Sequence, residues 1–260
     1  MPDSFFVIAA AVLGAVIGSF LNVVILRDSR RSTILTGRSA CMHCGHELSW
    51  YELIPLLSFV MQGGRCRKCK KALSWQYPLG ELVVAALAVF ALWYGYFLNG
   101  SWVLAAGVFI VLATFFVLSG TDFRTMEIRP EYTIFAMVVA ALSNVLSGKM
   151  TLTQVALGAA VGVGIILFLT YGWKLLTGKL GMGEGDAWIV AAVGALVGYP
   201  AIFPALFAAV LLGAVVGVII LARLGRTDDV AMPFGPYLAM GGLIALVWGQ
   251  AIIQWYTMGI

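Results

Sequence analysis

Apolar and polar positions fall in long blocks along this chain, not at the short periods of soluble helices or strands. Eight apolar runs stand out: Phe5–Leu26, Leu82–Leu98, Trp102–Gly120, Tyr132–Leu146, Leu152–Trp173, Ala187–Tyr199, Ala201–Ala222 and Tyr237–Tyr256. A hydrocarbon core of about 30 Å needs roughly 20 residues of helix. The runs therefore predict an all-α polytopic membrane protein of about eight transmembrane helices. The fourth and sixth are short. Such helices are either accommodated by local thinning or end in a water-filled cavity, where non-spanning backbone is tolerated. The first run reads as a retained membrane helix and not a cleaved signal, because Met1-Pro2-Asp3 carries no positive charge and basic residues follow the run.

The gaps between runs are unequal. Residues 27–81 form one long polar insert, so the chain divides into a first helix (1–26), the insert (27–81) and a seven-helix core (82–260). Fifteen of the 16 Lys and Arg fall in alternate gaps, and the opposite gaps hold only Lys149. By the positive-inside rule the insert and its partner gaps face the cytoplasm and both termini lie outside. Interrupted apolar stretches in the insert, such as Leu53–Val60, are expected on the membrane surface or against other helices. Composition agrees with this picture. The chain is 62% hydrophobic and 11% charged, against about 25% charged for soluble domains. That excludes a soluble enzyme, a disordered chain and a collagen-like one. No internal repeat is evident.

The four cysteines sit in the insert as Cys41-Met42-His43-Cys44 and, 21 residues later, Cys66-Arg67-Lys68-Cys69. Two such knuckles bring four thiolates round one tetrahedral Zn²⁺. Four thiolates leave the site doubly negative, and Arg65, Arg67, Lys68, Lys70 and Lys71 offset that charge. A closed set has no open coordination position, so its expected role is structural. Free thiols or a redox pair are the alternative, and His43 or His46 could stand in as ligands. Basic zinc ribbons can bind nucleic acid. Beside a membrane, attraction to anionic lipid is the simpler reading.

Only 12 Asp and Glu occur. Glu81, Asp122 and Asp186 lie at the ends of apolar helices, where a carboxyl is costly and function is the leading hypothesis. A solvated helix end, or for Asp186 the favourable field of a helix N-terminus, is the plainer account of each. Asp186 follows Gly181-Met182-Gly183-Glu184-Gly185, a turn that allows close backbone approach. Two carboxyls about 4 Å apart repel by roughly 4 kcal/mol at an effective dielectric near 20, so they share a proton. The ionised member can take a proton from water while the protonated one polarises a scissile carbonyl. Neither a metal nor a covalent nucleophile is needed for that chemistry. No G-x-S-x-G, Walker loop or H-E-x-x-H is present.

Gly18-Ser19-Phe20-Leu21-Asn22-Val23-Val24-Ile25, the paired cysteines, Trp50–Ser58, Gly64-Arg65-Cys66 and Ser74-Trp75-Gln76-Tyr77-Pro78 through Glu81 occur in order. Asp122, Gly183-Glu184-Gly185-Asp186 and Pro233-Phe234-Gly235-Pro236 come after them. This extended pattern resembles the bacterial type IV prepilin peptidases, GxGD-type membrane aspartic proteases. The resemblance implies cleavage of the basic leader of prepilins or pseudopilins at the cytoplasmic side of the inner membrane, followed in many members by S-adenosylmethionine-dependent methylation of the new N-terminus. It implies Asp122 and Asp186 as the catalytic pair and Cys41, Cys44, Cys66 and Cys69 as a zinc set. Three positions depart from the family pattern. Pro130 stands one residue late after the first catalytic Asp, Trp188 replaces a usual lysine, and Met42 replaces a common proline. A peptidase without methylation, and a proton-coupled transporter or scaffold using the Asp pair, remain open on the residues alone.

Overall fold

The computed structural model describes residues 2–29, 39–178, 183–224 and 232–258. Nine α-helices occur among them: α1 Pro2–Asp28, α2 Leu57–Met61, α3 Gln76–Leu92, α4 Trp102–Thr125, α5 Pro130–Leu146, α6 Leu152–Thr177, α7 Glu184–Val197, α8 Ile202–Leu224 and α9 Gly235–Met258. A π-helical stretch, Trp93–Leu98, prolongs α3. Each of the eight apolar runs is thus helical. The insert contributes α2, a 3₁₀ turn at Trp50–Leu53 and two isolated antiparallel bridges, Ala40 with Glu47 and Arg65 with Ala72.

Among the described residues, six helices are long and apolar enough to cross a membrane: α1, α3 with its extension, α4, α6, α8 and α9. The chain is a multi-pass membrane protein. The expected count of about eight is met only for these six, because α5 and α7 have 17 and 14 residues. At 1.5 Å per residue they reach only about 26 and 21 Å. The chain divides into two compact units, Met1–Ala105 and Ala106–Ile260, with the boundary inside α4.

In the first unit α1 packs along α3. Gly14 and Gly18, four apart and so on one face, let the two backbones approach. A Cβ on Gly14 would lie 2.7 Å from Ala88 Cβ. One turn further, Asn22 is fully buried and donates from Nδ2 to the Tyr77 carbonyl at 3.1 Å. In lipid such small-residue seams and interhelical hydrogen bonds replace the hydrophobic drive that water supplies elsewhere.

The second unit is built round α7. Every residue from Ile189 to Val197 is buried, and α5, α6, α8 and α9 all contact it. A helix apolar on all sides belongs in a core, which accounts for its short length: it is wrapped by protein. Asn144 of α5 binds its far end, donating to the Ala195 and Leu196 carbonyls at 3.1 and 3.2 Å. Those carbonyls lie in the last turn of α7, where helical partners run out. Gly158 and Gly194 bring α6 and α7 into backbone contact, and a Cβ on Gly194 would overlap the Gly158 carbonyl.

Gly194→Ala should therefore force these helices apart and destabilise the protein by about 1–3 kcal/mol, the scale of overpacking. Gly164→Ala, on α6 with nothing within 4 Å of the added methyl, should leave stability unchanged. Thermal unfolding in detergent compares the two.

Candidate active site and metal centre

Asp122 lies in the last turn of α4, yet its partner comes from the start of α9. The Gly235 N–H donates to Asp122 Oδ2 at 3.0 Å. The first N–H groups of a helix lack internal acceptors and carry its positive end, so a carboxylate is a well-matched partner there. Only glycine fits: a Cβ on Gly235 would lie 2.7 Å from Asp122 Oδ2 and 3.0 Å from Ile189 Cδ1. Ile189 is one turn beyond Asp186 on α7, so Gly235 touches both the Asp122 carboxyl and the face of α7 that carries Asp186. The two carboxyls interact electrostatically. They are nearly sealed, at 3% and 6% exposed.

Asp186 sits in the first turn of α7 and donates its backbone N–H to the Gly183 carbonyl at 3.1 Å. Gly181 and Met182 of the glycine-rich turn lie outside the described residues. The segment after Asp122 closes on the start of α7: a Cβ on Gly185 would meet Ile128 Cβ at 2.8 Å. The Tyr171 hydroxyl of α6 lies 3.5 Å from Glu184 Oε1. Together these contacts gather α4, α7 and α9 round two buried carboxyls.

Glu81, the third acidic candidate, belongs to the first unit and has a structural partner. Its Oε2 accepts the Leu56 N–H at 2.7 Å, which holds a residue of the insert at a φ of 61°.

The four cysteine sulfurs lie within 4.8 Å of one another. Cys41 with Cys69, and Cys44 with Cys66, are 3.9 Å apart. Sulfurs at about 2.3 Å from one tetrahedral Zn²⁺ would be separated by about 3.8 Å, so the set fits that ion and could hold such a metal. The cluster also displays a repeat that sequence inspection missed. Residues 39–48 and 64–73 share one hydrogen-bond plan: Cys41 N–H to His46 and Cys66 N–H to Lys71, at 2.8 and 2.9 Å, with Leu48 to Ser39 and Leu73 to Gly64 closing each hairpin. Gly45 and Lys70 occupy the same left-handed position, φ 68° and 58°. Outside the cysteines and the final leucine the two segments share little, which hid the repeat. The Cys69 N–H first, with that of Lys68, draws the Cys66 thiol down to about 6 against burial. At Cys44 the His46 N–H pulls down, but desolvation and the other three sulfurs outweigh it and push the thiol up to about 11. Four adjoining thiols cannot all ionise without a cation among them.

Comparison with known proteins decides the family. Residues 12–95 match the bacterial peptidase A24 N-terminal domain, and residues 109–218 match the type IV leader peptidase family. A prepilin leader peptidase/N-methyltransferase of Aeromonas salmonicida (strain A449) is 35% identical across 94% of this chain and 91% of its own. Proteins with the same name from Xanthomonas campestris pv. campestris and Pseudomonas aeruginosa are 35% and 31% identical. They cover 95% and 96% of this chain and 93% of their own in each case. No solved structure matches significantly. The chain belongs to the type IV leader peptidase family. It is a membrane aspartic endopeptidase.

Two departures from the family pattern acquire a physical reading. Pro130 occupies the first turn of α5, where its missing N–H costs nothing, so the displaced proline starts a helix. Trp188 is 43% exposed. Two residues along an α-helix is about 200° of rotation, so its indole points away from the Asp186 carboxyl, and a lysine here would not reach that group. Gly235, part of the Pro-Phe-Gly-Pro run, had no assigned role in the sequence. Its chemistry appears only when α9 meets α4.

Gly235→Ala should push the Asp122 carboxyl aside and lower peptidase turnover at least about tenfold, equivalent to 1.4 kcal/mol in the barrier. Helix content in circular dichroism should stay the same. Trp188→Lys should leave turnover within a few-fold.

Proposed function

We propose that the peptidase cleaves the leader of type IV prepilins or pseudopilins, with Asp122 and Asp186 as a proton-sharing catalytic pair. The observation that supports this reading is that Gly235, at the start of α9, binds the buried Asp122 carboxyl and packs against Ile189, one turn beyond the buried Asp186 on α7. The pair holds one proton. Its charged member takes a proton from the attacking water while the protonated member polarises the scissile carbonyl, and their roles exchange as the amine leaves. The N–H of Gly235 fixes one carboxyl, and the sealed surroundings strengthen each electrostatic contact made there.

In this reading the insert and the catalytic ends of α4 and α7 face the cytoplasm, from the inner membrane of a bacterium, as the distribution of Lys and Arg supports. Cys41, Cys44, Cys66 and Cys69 hold a structural Zn²⁺, which closes the insert and takes no part in hydrolysis. Methylation of the new N-terminus with S-adenosylmethionine comes next, supported by the names of the relatives. No residue of this chain is assigned to the donor. Membrane lipid and the prepilin are the partners, and nucleic acid has no part.

Incubating purified protein with a prepilin and an isotope-labelled methyl donor should give a shortened product one methyl group heavier. A shortened but unmethylated product would leave a peptidase alone. Asp122→Asn and Asp186→Asn keep their shape but cannot act as a base. Each should abolish cleavage in the folded protein, and the double variant should be no worse, because the pair acts as a unit. Substantial cleavage by either single variant rules out this mechanism.

Replacing Cys66 by Ser should lower the zinc content found by elemental analysis from about one per chain, the stoichiometry of a four-thiolate site. Wild-type protein purified without chelator yet free of zinc would favour the free-thiol reading.

A further inference from the structure

On the exposed side of α2 lie Leu57, Val60 and Met61, at 53%, 75% and 74% exposed. Their spacing of three and four places them on one helical face. The other side of α2 turns inward: Phe59 packs its ring against Trp75 at 5.1 Å. Trp75 is itself 68% exposed and immediately precedes α3. Apolar side chains are thus displayed outward from a small domain that has inward positions to offer.

Two observations say what covers this face. The first is its level. Glu81 Oε2 accepts the N–H of Leu56, the residue that opens α2. Glu81 is five residues into α3, or about 7–8 Å along a helix that continues as a membrane span. The start of α2 is therefore held at the depth where an apolar helix leaves the hydrocarbon. The second is charge. Arg65, Arg67, Lys68, Lys70 and Lys71 are all exposed on the adjoining knuckle, and the Arg67 guanidinium lies over the Tyr51 ring at 5.1 Å. Apolar and aromatic side chains beside a cluster of cations are the chemistry of binding to an anionic bilayer surface.

We infer that the insert docks on the anionic lipid headgroups of the membrane its own helices cross, with Leu57, Val60 and Met61 dipping below the headgroups and the basic knuckle lying over them. The inference rests on the multi-pass reading and not on the catalytic pair. The docked insert lies flat against the bilayer, and the metal site is held within reach of the membrane surface.

Full-length protein carrying p-acetylphenylalanine at Met61, tagged with a nitroxide, would be reconstituted in vesicles of phosphatidylcholine with or without phosphatidylglycerol. Zinc content and circular dichroism confirm that the labelled chain is intact. With the anionic lipid, the label should be several-fold more accessible to oxygen than to a water-soluble nickel chelate. The same label at Lys68 should show the reverse preference. Neutral lipid, or high salt, should reduce the oxygen preference at position 61. Equal nickel access at positions 61 and 68 would overturn the proposal, because the face would then lie in water. A label shielded from both reagents would overturn it in favour of a protein partner, and a preference unaffected by lipid charge would overturn the role of the basic knuckle. The readout needs no substrate, so it stands whether or not the catalytic pair is as proposed.

Discussion

A carboxyl at the end of an apolar helix has to be met by a donor, and in the second unit that donor is a backbone N–H. The bond from Gly235 to Asp122 answers two needs at once. It occupies one of the N–H groups that the start of α9 cannot satisfy within the helix, and it gives the carboxyl a partner where water is scarce. Each element is the other's cap. The remaining arrangement comes from keeping that contact: α9 must begin with a residue lacking a side chain, α4 must bring its last turn beside it, and α7 must lie close enough for Ile189 to touch the same glycine.

Placing α7 there has its own requirements. A helix of 14 residues is too short to cross the bilayer by itself, so it is held by neighbours. Gly158 and Gly194 let α6 approach at backbone distance, and Asn144 takes two carbonyls at its far end. Shortness and burial therefore share one cause. The same helix presents Asp186 in its first turn, next to the glycine-rich turn, with Trp188 on the outside.

Much of this was readable in the chain, and the reasons differ from element to element. Each apolar run is a helix because block hydrophobicity is a strong signal that needs no partner to interpret. The thiols come together because a C-x2-C pair is a local device. Asp122 and Asp186 stood out because acids are scarce in so apolar a chain. The count of membrane crossings was less legible, since hydropathy does not distinguish a helix buried in protein from one buried in lipid, and α7 is the former. The part played by Gly235 was not legible at all: a contact between residues 113 positions apart is set by tertiary packing. The orientation of Trp188 is also set by the fold. Its nearness to Asp186 in sequence is cancelled by the rotation of the helix between them.

The two knuckles also bear on how the insert is held shut. Residues 39–48 and 64–73 are copies of one hairpin, each supplying two of the four sulfurs that could hold a metal, so neither would enclose a cation unaided. With a metal in place the halves become covalently dependent on each other across about 25 residues of chain. On the chain-entropy scale used for disulfides, closing a loop of that size is worth about 3.5 kcal/mol. The insert then has a cross-link that a thiol reductant cannot cut by exchange, because no sulfur–sulfur bond exists to attack. Its weakness is of another kind: it yields to a chelator, or to oxidation of a single thiol, and the whole closure is lost in one event.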